Sequence, residues 1–183
     1  IQDSERAGMA ALLPKLATWR RDRDREVELS RWLYTDTWEL TSSEPEYASD
    51  VRGTWLLLAP EEAAGCSTLI EAALKERGAH VVCAAGPDID VKTELRGVVA
   101  LTAFESGGAE VSLPAGIGSG VALIRSLLAH PGQAPLWFIT QGAVEAEPSD
   151  QTERPLQALT WGLARVMGLE HPDRLGGVID LPE

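Results

Sequence analysis

Five segments of six or seven residues, each almost wholly apolar, recur along the chain: TWLLLA (54–59), HVVCAA (80–85), GVVALTA (97–103), PLWFIT (135–140) and GGVIDL (176–181). A strand with one wet face alternates apolar and polar residues, whereas a strand covered on both faces stays apolar throughout. Between these segments lie stretches with helical periodicity, predicted from Cys66 to Arg77 with Gly78 as the stop, from Ser119 to His130, and from Pro155 to Glu170. Strand alternating with helix predicts an α/β fold, a parallel sheet flanked by helices in a Rossmann-like architecture. Only GPDIDVKTELR (86–96) joins the second strand to the third. That is too short for a full helix, so a single turn or a distorted sheet is expected there.

The first thirty residues are built differently. Met9, Leu12, Leu13, Leu16 and Trp19 recur at steps of three and four, which draws one apolar stripe along a helix. Pro14 has no amide hydrogen to donate, so a break at Leu13 and a helical hairpin are expected. After Trp19 comes RRDRDREVE (20–28), a solvated face of alternating sign. A hairpin of this size does not bury its stripe alone and must pack on something else, the rest of the chain or a second copy.

Charge marks the boundary. Residues 1–31 carry seven Lys/Arg against six Asp/Glu, whereas residues 32–183 carry nine against twenty-two. SRWLYTDTWEL (30–40) alternates like a strand, and TSSEPEYASD (41–50) reads as a loop. The organisation expected is therefore a helical element over 1–30, a strand-containing linker over 31–52, and a Rossmann-like domain over 53–183. The first residue, Ile1, and the abrupt last one, Glu183, suggest a piece of a longer polypeptide.

A net charge of −12 argues against a nucleic-acid partner. No apolar run approaches the roughly eighteen residues of a membrane span, and the N-terminus lacks the layout of a signal peptide, so a cytoplasmic protein is expected. Cys66 and Cys83 read as small core residues, and two cysteines alone do not make a zinc site. His80 opens a strand, while His130 and His171 close helices, where a cation complements the helix dipole.

Tested for chemistry, the chain offers little. A dinucleotide site needs glycines directly after the first strand, so that the diphosphate reaches the helix N-terminus. Here that turn is PEEAAG (60–65), with Glu61 and Glu62 standing where phosphates belong. AGIGSG (115–120) fits neither GxGxxG nor GxSxG and reads as a loop and helix start, the end of a flexible surface loop over 105–118. Reduction of the short-chain type needs a Tyr with a Lys four residues on, but Tyr34 and Tyr47 are followed at that spacing by Trp38 and Val51. Asp88 and Asp90 stand where a ribose anchor would follow the second strand, without the glycines that give such an anchor meaning. No catalytic, cofactor-binding or metal-binding residue is assigned.

The helix over 155–170 is apolar on more than one face, with Gln157, Thr160 and Arg165 as the chief exposed positions expected. LIRSLLAH (123–130) shows the same excess. One face covers the sheet, and the other implies a buried helical layer or a large partner surface.

PLWFITQGAV (135–144), QALTWGLARVMGLEHP (157–172) and GGVIDLPE (176–183) together resemble the structural subdomain of a ketoreductase domain from a modular type I polyketide synthase. SRWLYTDTWEL and GTWLLLAP (53–60) are similar to its start, and MAALLPKLATWRRDRDRE (9–26) is similar to the helical dimerization element that precedes some ketoreductases. The resemblance implies a truncated, short-chain-dehydrogenase-like sheet that is a non-catalytic half. The other half would bind NADPH and reduce a β-ketoacyl chain on an acyl carrier protein. It further implies a catalytic-subdomain interface on Leu123, Leu127, Leu159, Leu163, Val166 and Met167, and a homodimer contact through Met9, Leu12, Leu13, Leu16 and Trp19. The subdomain of the family continues past LPE with further strands. Two alternatives stand beside this reading: an independent Rossmann-like enzyme using another cofactor, and the scaffold of an inactive ketoreductase.

Overall fold

The computed structural model describes residues 3–30, 37–39, 50–87, 89, 94–107, 113–147 and 149–182, with residues 3–11 described by backbone alone. The chain divides into two compact units, Ile1–Thr41 and Ser42–Glu183.

The first unit holds one continuous helix, α1 (Asp3–Ser30), with Pro14 inside it. The expected hairpin is therefore replaced by a single rod. Proline removes one backbone hydrogen bond and crowds the preceding turn, a cost of about 3 kcal/mol. Strong helix formers on both sides, Ala10 to Leu13 and Lys15 to Ala17, carry the helix through it. Most of SRWLYTDTWEL lies outside the described residues; Thr37 to Glu39 form no strand, and Trp38 is exposed.

The second unit is built on strands β1 (Gly53–Leu58), β2 (Ala79–Ala84), β3 (Leu95–Ala100), β4 (Leu136–Gln141) and β5 (Leu175–Leu181). They form one sheet in the order β2-β1-β3-β4-β5, and every pairing is parallel. Helices α2 (Ala64–Glu76), α3 (Ala115–Ala129) and α4 (Ala158–Glu170) join them. Gly78, at φ +84°, closes α2 by donating its amide to the Lys75 carbonyl, a left-handed conformation that favours glycine. In the short β2–β3 connection, residues 88 and 90–93 lie outside the described ones; β3 still pairs with β1, with a register shift between Thr54 and Trp55.

Strand residues alternate between two cores, as the period of two requires. Leu56, Leu58, Val98, Ala100, Leu136 and Phe138 face one way and bury Leu123 and Leu127 of α3 together with Ala164 and Met167 of α4. Leu57, Val99, Leu101 and Ile139 face the other way, against Ala63, Phe104 and, on α2, Cys66 and Ile70. Each buried large side chain contributes about 1.5–3 kcal/mol. Among the described residues no helix is long and apolar enough to cross a membrane.

Two sequence expectations change here. Cys83 is exposed on β2 and is not a core residue. Helix α3 begins at Ala115, so AGIGSG forms its first turns. Gly116 and Gly120 lie on the inner side of α3. A Cβ on Gly116 would overlap the Thr102 carbonyl oxygen, and one on Gly120 would sit 3.1 Å from Leu163 Cδ2.

Candidate functional site

In an open parallel sheet, ligands bind beyond the carboxyl ends of the strands, where the strand order reverses. In this sheet that place lies between β1 and β3. Both strands run there into short 3-10 turns, Glu61–Ala63 after β1 and Thr102–Phe104 after β3. The turns are drawn inward: the Leu101 amide donates to the Leu58 carbonyl at 2.8 Å, and Ala63 and Phe104 are buried. Across the mouth, Glu62 Oε1 accepts hydrogen bonds from Ser106 Oγ at 2.5 Å and from the Ser106 amide at 3.2 Å. These bonds, the Ser106 hydroxyl first, hold the Glu62 carboxyl below its ordinary range. The Arg154 guanidinium lies 5.8 Å from the Phe104 ring centre, but the turn after β1 presents a carboxylate where a diphosphate needs bare amides. Beside the mouth, a shallow cavity of about 210 Å³ is lined by Ser106, Ile117, Leu156 and Thr160 among others.

Among the described residues no group of three or more His, Cys, Asp or Glu side chains is placed to hold a metal ion. Asp88 and Asp90 lie outside the described residues. His130 caps the end of α3 and accepts the Gly132 amide on Nδ1 at 3.1 Å, while His171 caps α4. Cys83 lies beside Glu71 and Lys75, and burial, ahead of the Glu71 charge, pushes its thiol up. A thiol so placed is a weak nucleophile.

The outward sides of α3 and α4 are more informative. On α4, Leu159 (46% exposed), Gly162, Val166 (52%) and Leu169 follow one another at steps of three and four. Nothing lies within 4 Å of a Cβ built on Gly162, so the row contains a notch between two branched side chains. On α3, Gly118, Val121, Arg125 and Leu128 form a second exposed row, apolar apart from Arg125. Gly120 packs close to Leu163, which brings the two helices together. Parallel strands make α3 and α4 parallel as well, so the rows run side by side.

The residues expected at a subdomain interface therefore separate. Leu123, Leu127 and Met167 are 0%, 0% and 2% exposed and belong to this chain's own core, and Leu163 packs partly buried against it. Leu159 and Val166 lie on the surface. Gln157 and Thr160, expected outside, are buried at 7% and 1%. Gln157 Oε1 accepts the Gln141 amide at 2.9 Å, which compensates its burial. On α1, Leu12, Leu13, Leu16 and Trp19 are all exposed, the Arg23 guanidinium lies 5.6 Å from the Trp19 ring centre, and the Met9 side chain lies outside the described residues.

Sequence reasoning passed over Asp180. Its carboxylate accepts from Thr140 Oγ1 at 2.6 Å and from the amides of Ala143 at 3.0 Å and Val144 at 3.3 Å. The signal was an acidic residue inside the otherwise apolar strand GGVIDL.

Comparison with known proteins places this geometry in a context. Residues 38–183 match the family described as polyketide synthase extender module SpnB, Rossmann fold domain. The chain is 38% identical over 205 aligned residues to polyketide synthase GfsB of Streptomyces halstedii, covering 97% of this chain and 4% of that protein. It is 35% identical over 152 residues to pikromycin polyketide synthase component PikAIII of Streptomyces venezuelae, covering 82% of this chain and 9% of that protein. Among solved structures, an A1-type ketoreductase superposes with a TM-score of 0.67 at 32% identity, over 80% of this chain and 33% of that one. A C2-type ketoreductase from a modular polyketide synthase gives 0.63 at 32% identity, over 72% and 33%.

Proposed function

The chain belongs to the Rossmann-fold domain family of polyketide synthase extender modules, and from that premise we propose that it is the non-catalytic half of a ketoreductase. It serves as a rigid support on which a catalytic half of the same polypeptide docks. In the parent enzyme, the catalytic half binds NADPH and delivers its hydride to the β-carbonyl of an acyl chain on an acyl carrier protein, giving a β-hydroxyacyl product. This chain supplies position rather than chemistry, and preorganisation of that kind lowers the cost of assembling the reacting groups. The parent protein works in the cytoplasm.

The observation that carries this reading is the exposed apolar row on α4 with the mostly apolar row of α3 alongside, beside a strand-end crevice where the Glu62 carboxylate occupies the turn after β1. Two parallel helices with outward rows of this kind are half of a four-helix bundle, and a second pair completes it. The test is Leu159→Asp with Val166→Asp. In this chain alone, surface changes of that kind move stability by about 0.5 kcal/mol or less. In the complete ketoreductase the double variant is expected to lose β-keto reduction and to unfold at a lower temperature. Unchanged reduction and unchanged unfolding would overturn the docking role.

We further propose that α1 pairs with α1 of a second copy through Leu12, Leu13, Leu16 and Trp19. Exposed at these positions, a lone helix leaves a stripe of large apolar side chains in water. Leu12→Glu with Leu16→Glu is expected to halve the mass seen by light scattering, and an unchanged mass removes the idea.

A further inference from the structure

We propose that Asp180 is the positioning residue of the docking face, setting the rotation of α4 through the hydroxyl of Thr140 and the indole of Trp161; this rests on the docking role above.

The side of α4 that meets the sheet is a poor determinant of rotation. Its fully buried residues are Thr160, Ala164 and Met167, two small side chains and one flexible one, and Leu163 beside them is only partly buried, against the smooth backbone at Gly120. Directional hydrogen bonds supply what packing leaves loose. Trp161 Nε1 donates to Thr140 Oγ1 at 3.1 Å, and Thr140 Oγ1 donates to Asp180 Oδ1 at 2.6 Å. The same hydroxyl also lies 3.5 Å from the Ile179 carbonyl, so the carboxylate is the closer acceptor and decides where the proton points. With its proton committed to Asp180, the oxygen presents its lone pairs to the indole. The relay runs one way, from α4 through β4 to β5.

The carboxylate is required because every group around it donates. Its other oxygen takes the Val144 amide and the nearer share of the Ala143 amide, which lies 3.0 Å from Oδ2 and 3.2 Å from Oδ1. An asparagine that keeps its oxygen toward these amides turns its NH2 group to Thr140 Oγ1, where it competes with the indole for that oxygen and sends the hydroxyl proton away from residue 180, toward the Ile179 carbonyl. Leu159, Val166 and Trp161 share one helix and turn together. With side chains reaching about 5–6 Å from the axis, a rotation of ~20° shifts the apolar row by ~2 Å, enough to misalign it with a rigid partner.

The experiment uses this chain in four forms: wild type, Asp180→Asn, Thr140→Val and Thr140→Ser. The first readout is the indole N–H of Trp161 in 15N-resolved NMR, which needs no partner. The second is the affinity for the separately expressed catalytic half. Wild type and Thr140→Ser are expected to show an indole proton protected from exchange. In Asp180→Asn and Thr140→Val that protection is lost and binding weakens about tenfold, while Leu123 and Leu127 resonances stay in place. The rescue by serine separates the relay from general damage, because serine restores the hydroxyl alone. An indole proton equally protected in Thr140→Val overturns the relay, and so does unchanged affinity in both weakened variants. A wild-type chain that does not bind the catalytic half overturns the docking role instead, while the indole readout still decides the relay.

Discussion

Arg174 Nη2 donates a hydrogen bond to the Leu127 carbonyl at 2.5 Å, joining the turn before β5 to the last turn of α3. Arg174 is only 8% exposed, and its Nε is buried without a partner. The last carbonyls of a helix lack intrahelical donors and carry partial negative charge, so a cation there stabilises the end. Arg174→Met keeps much of the apolar stem and removes the donor. A charged hydrogen bond of this kind contributes about 1.5–3 kcal/mol, and the variant is expected to lose that much in urea unfolding with an unchanged slope.

The approach of α3 to the turn after β3 rests on Gly116. A methyl group there meets the Thr102 carbonyl, a backbone atom with no rotamer to move. Gly116→Ala is expected to destabilise the fold by about 1–3 kcal/mol. Gly118 lies two residues on in the same helix, and nothing lies within 4 Å of its Cβ position. Gly118→Ala is expected to stabilise by about 0.5–1 kcal/mol through lower chain entropy. Thermal midpoints of the two variants moving in opposite directions would check both claims at once.

These glycines show what a sequence conveys and what it withholds. The five strands were legible because a continuous apolar run of six residues has few other uses in a folded chain. Helix α4 was legible as over-apolar, but its phase was not. When apolar residues occupy most of a helix, periodicity no longer says which face meets the sheet, so Gln157 and Thr160 were placed outside and Met167 at an interface. The same ambiguity put Leu123 and Leu127 on a partner surface, whereas both sit in this chain's core. Gly116 and Gly120 resembled a loop because glycine's low helix propensity hides its use where two backbones must meet. Pro14 misled for the opposite reason, since a local penalty was outweighed by the helix formers around it.

Acid should reach one surface pair later than ordinary carboxylates. Arg52 Nε and Nη2 both bond the Asp50 carboxylate at 2.8 Å, and this bidentate contact pushes the Asp50 carboxyl from 3.8 down to about 2. A carboxylate whose pKa is lower in the folded state contributes stability that is fully present above the unfolded value. It is lost as the pH falls through the folded one. Wild-type stability is therefore expected to decline between pH 4 and pH 2 in part through this pair. Asp50→Asn should flatten that part of the curve and be the less stable protein at pH 5. Parallel curves for the two proteins across this window would mean that the pair contributes nothing to folding.

The crevice between β1 and β3 leads to the last expectation. Two features oppose a dinucleotide there, the Glu62 carboxylate and the inward packing of Ala63 and Phe104. Charge repulsion alone would be relieved by Glu62→Gln, whereas the packing would remain. Calorimetric titration of NADPH is expected to give no saturable heat with either protein up to millimolar ligand, a binding free energy weaker than about −4 kcal/mol. Saturation of the wild type in the micromolar range would overturn the non-catalytic role, because a site would then exist at a turn without glycines. Saturation of Glu62→Gln alone would place the whole exclusion in one carboxylate and leave the backbone of the crevice competent. Binding by neither protein traces the exclusion to the path of the chain after β1 and β3, which no single side chain reverses.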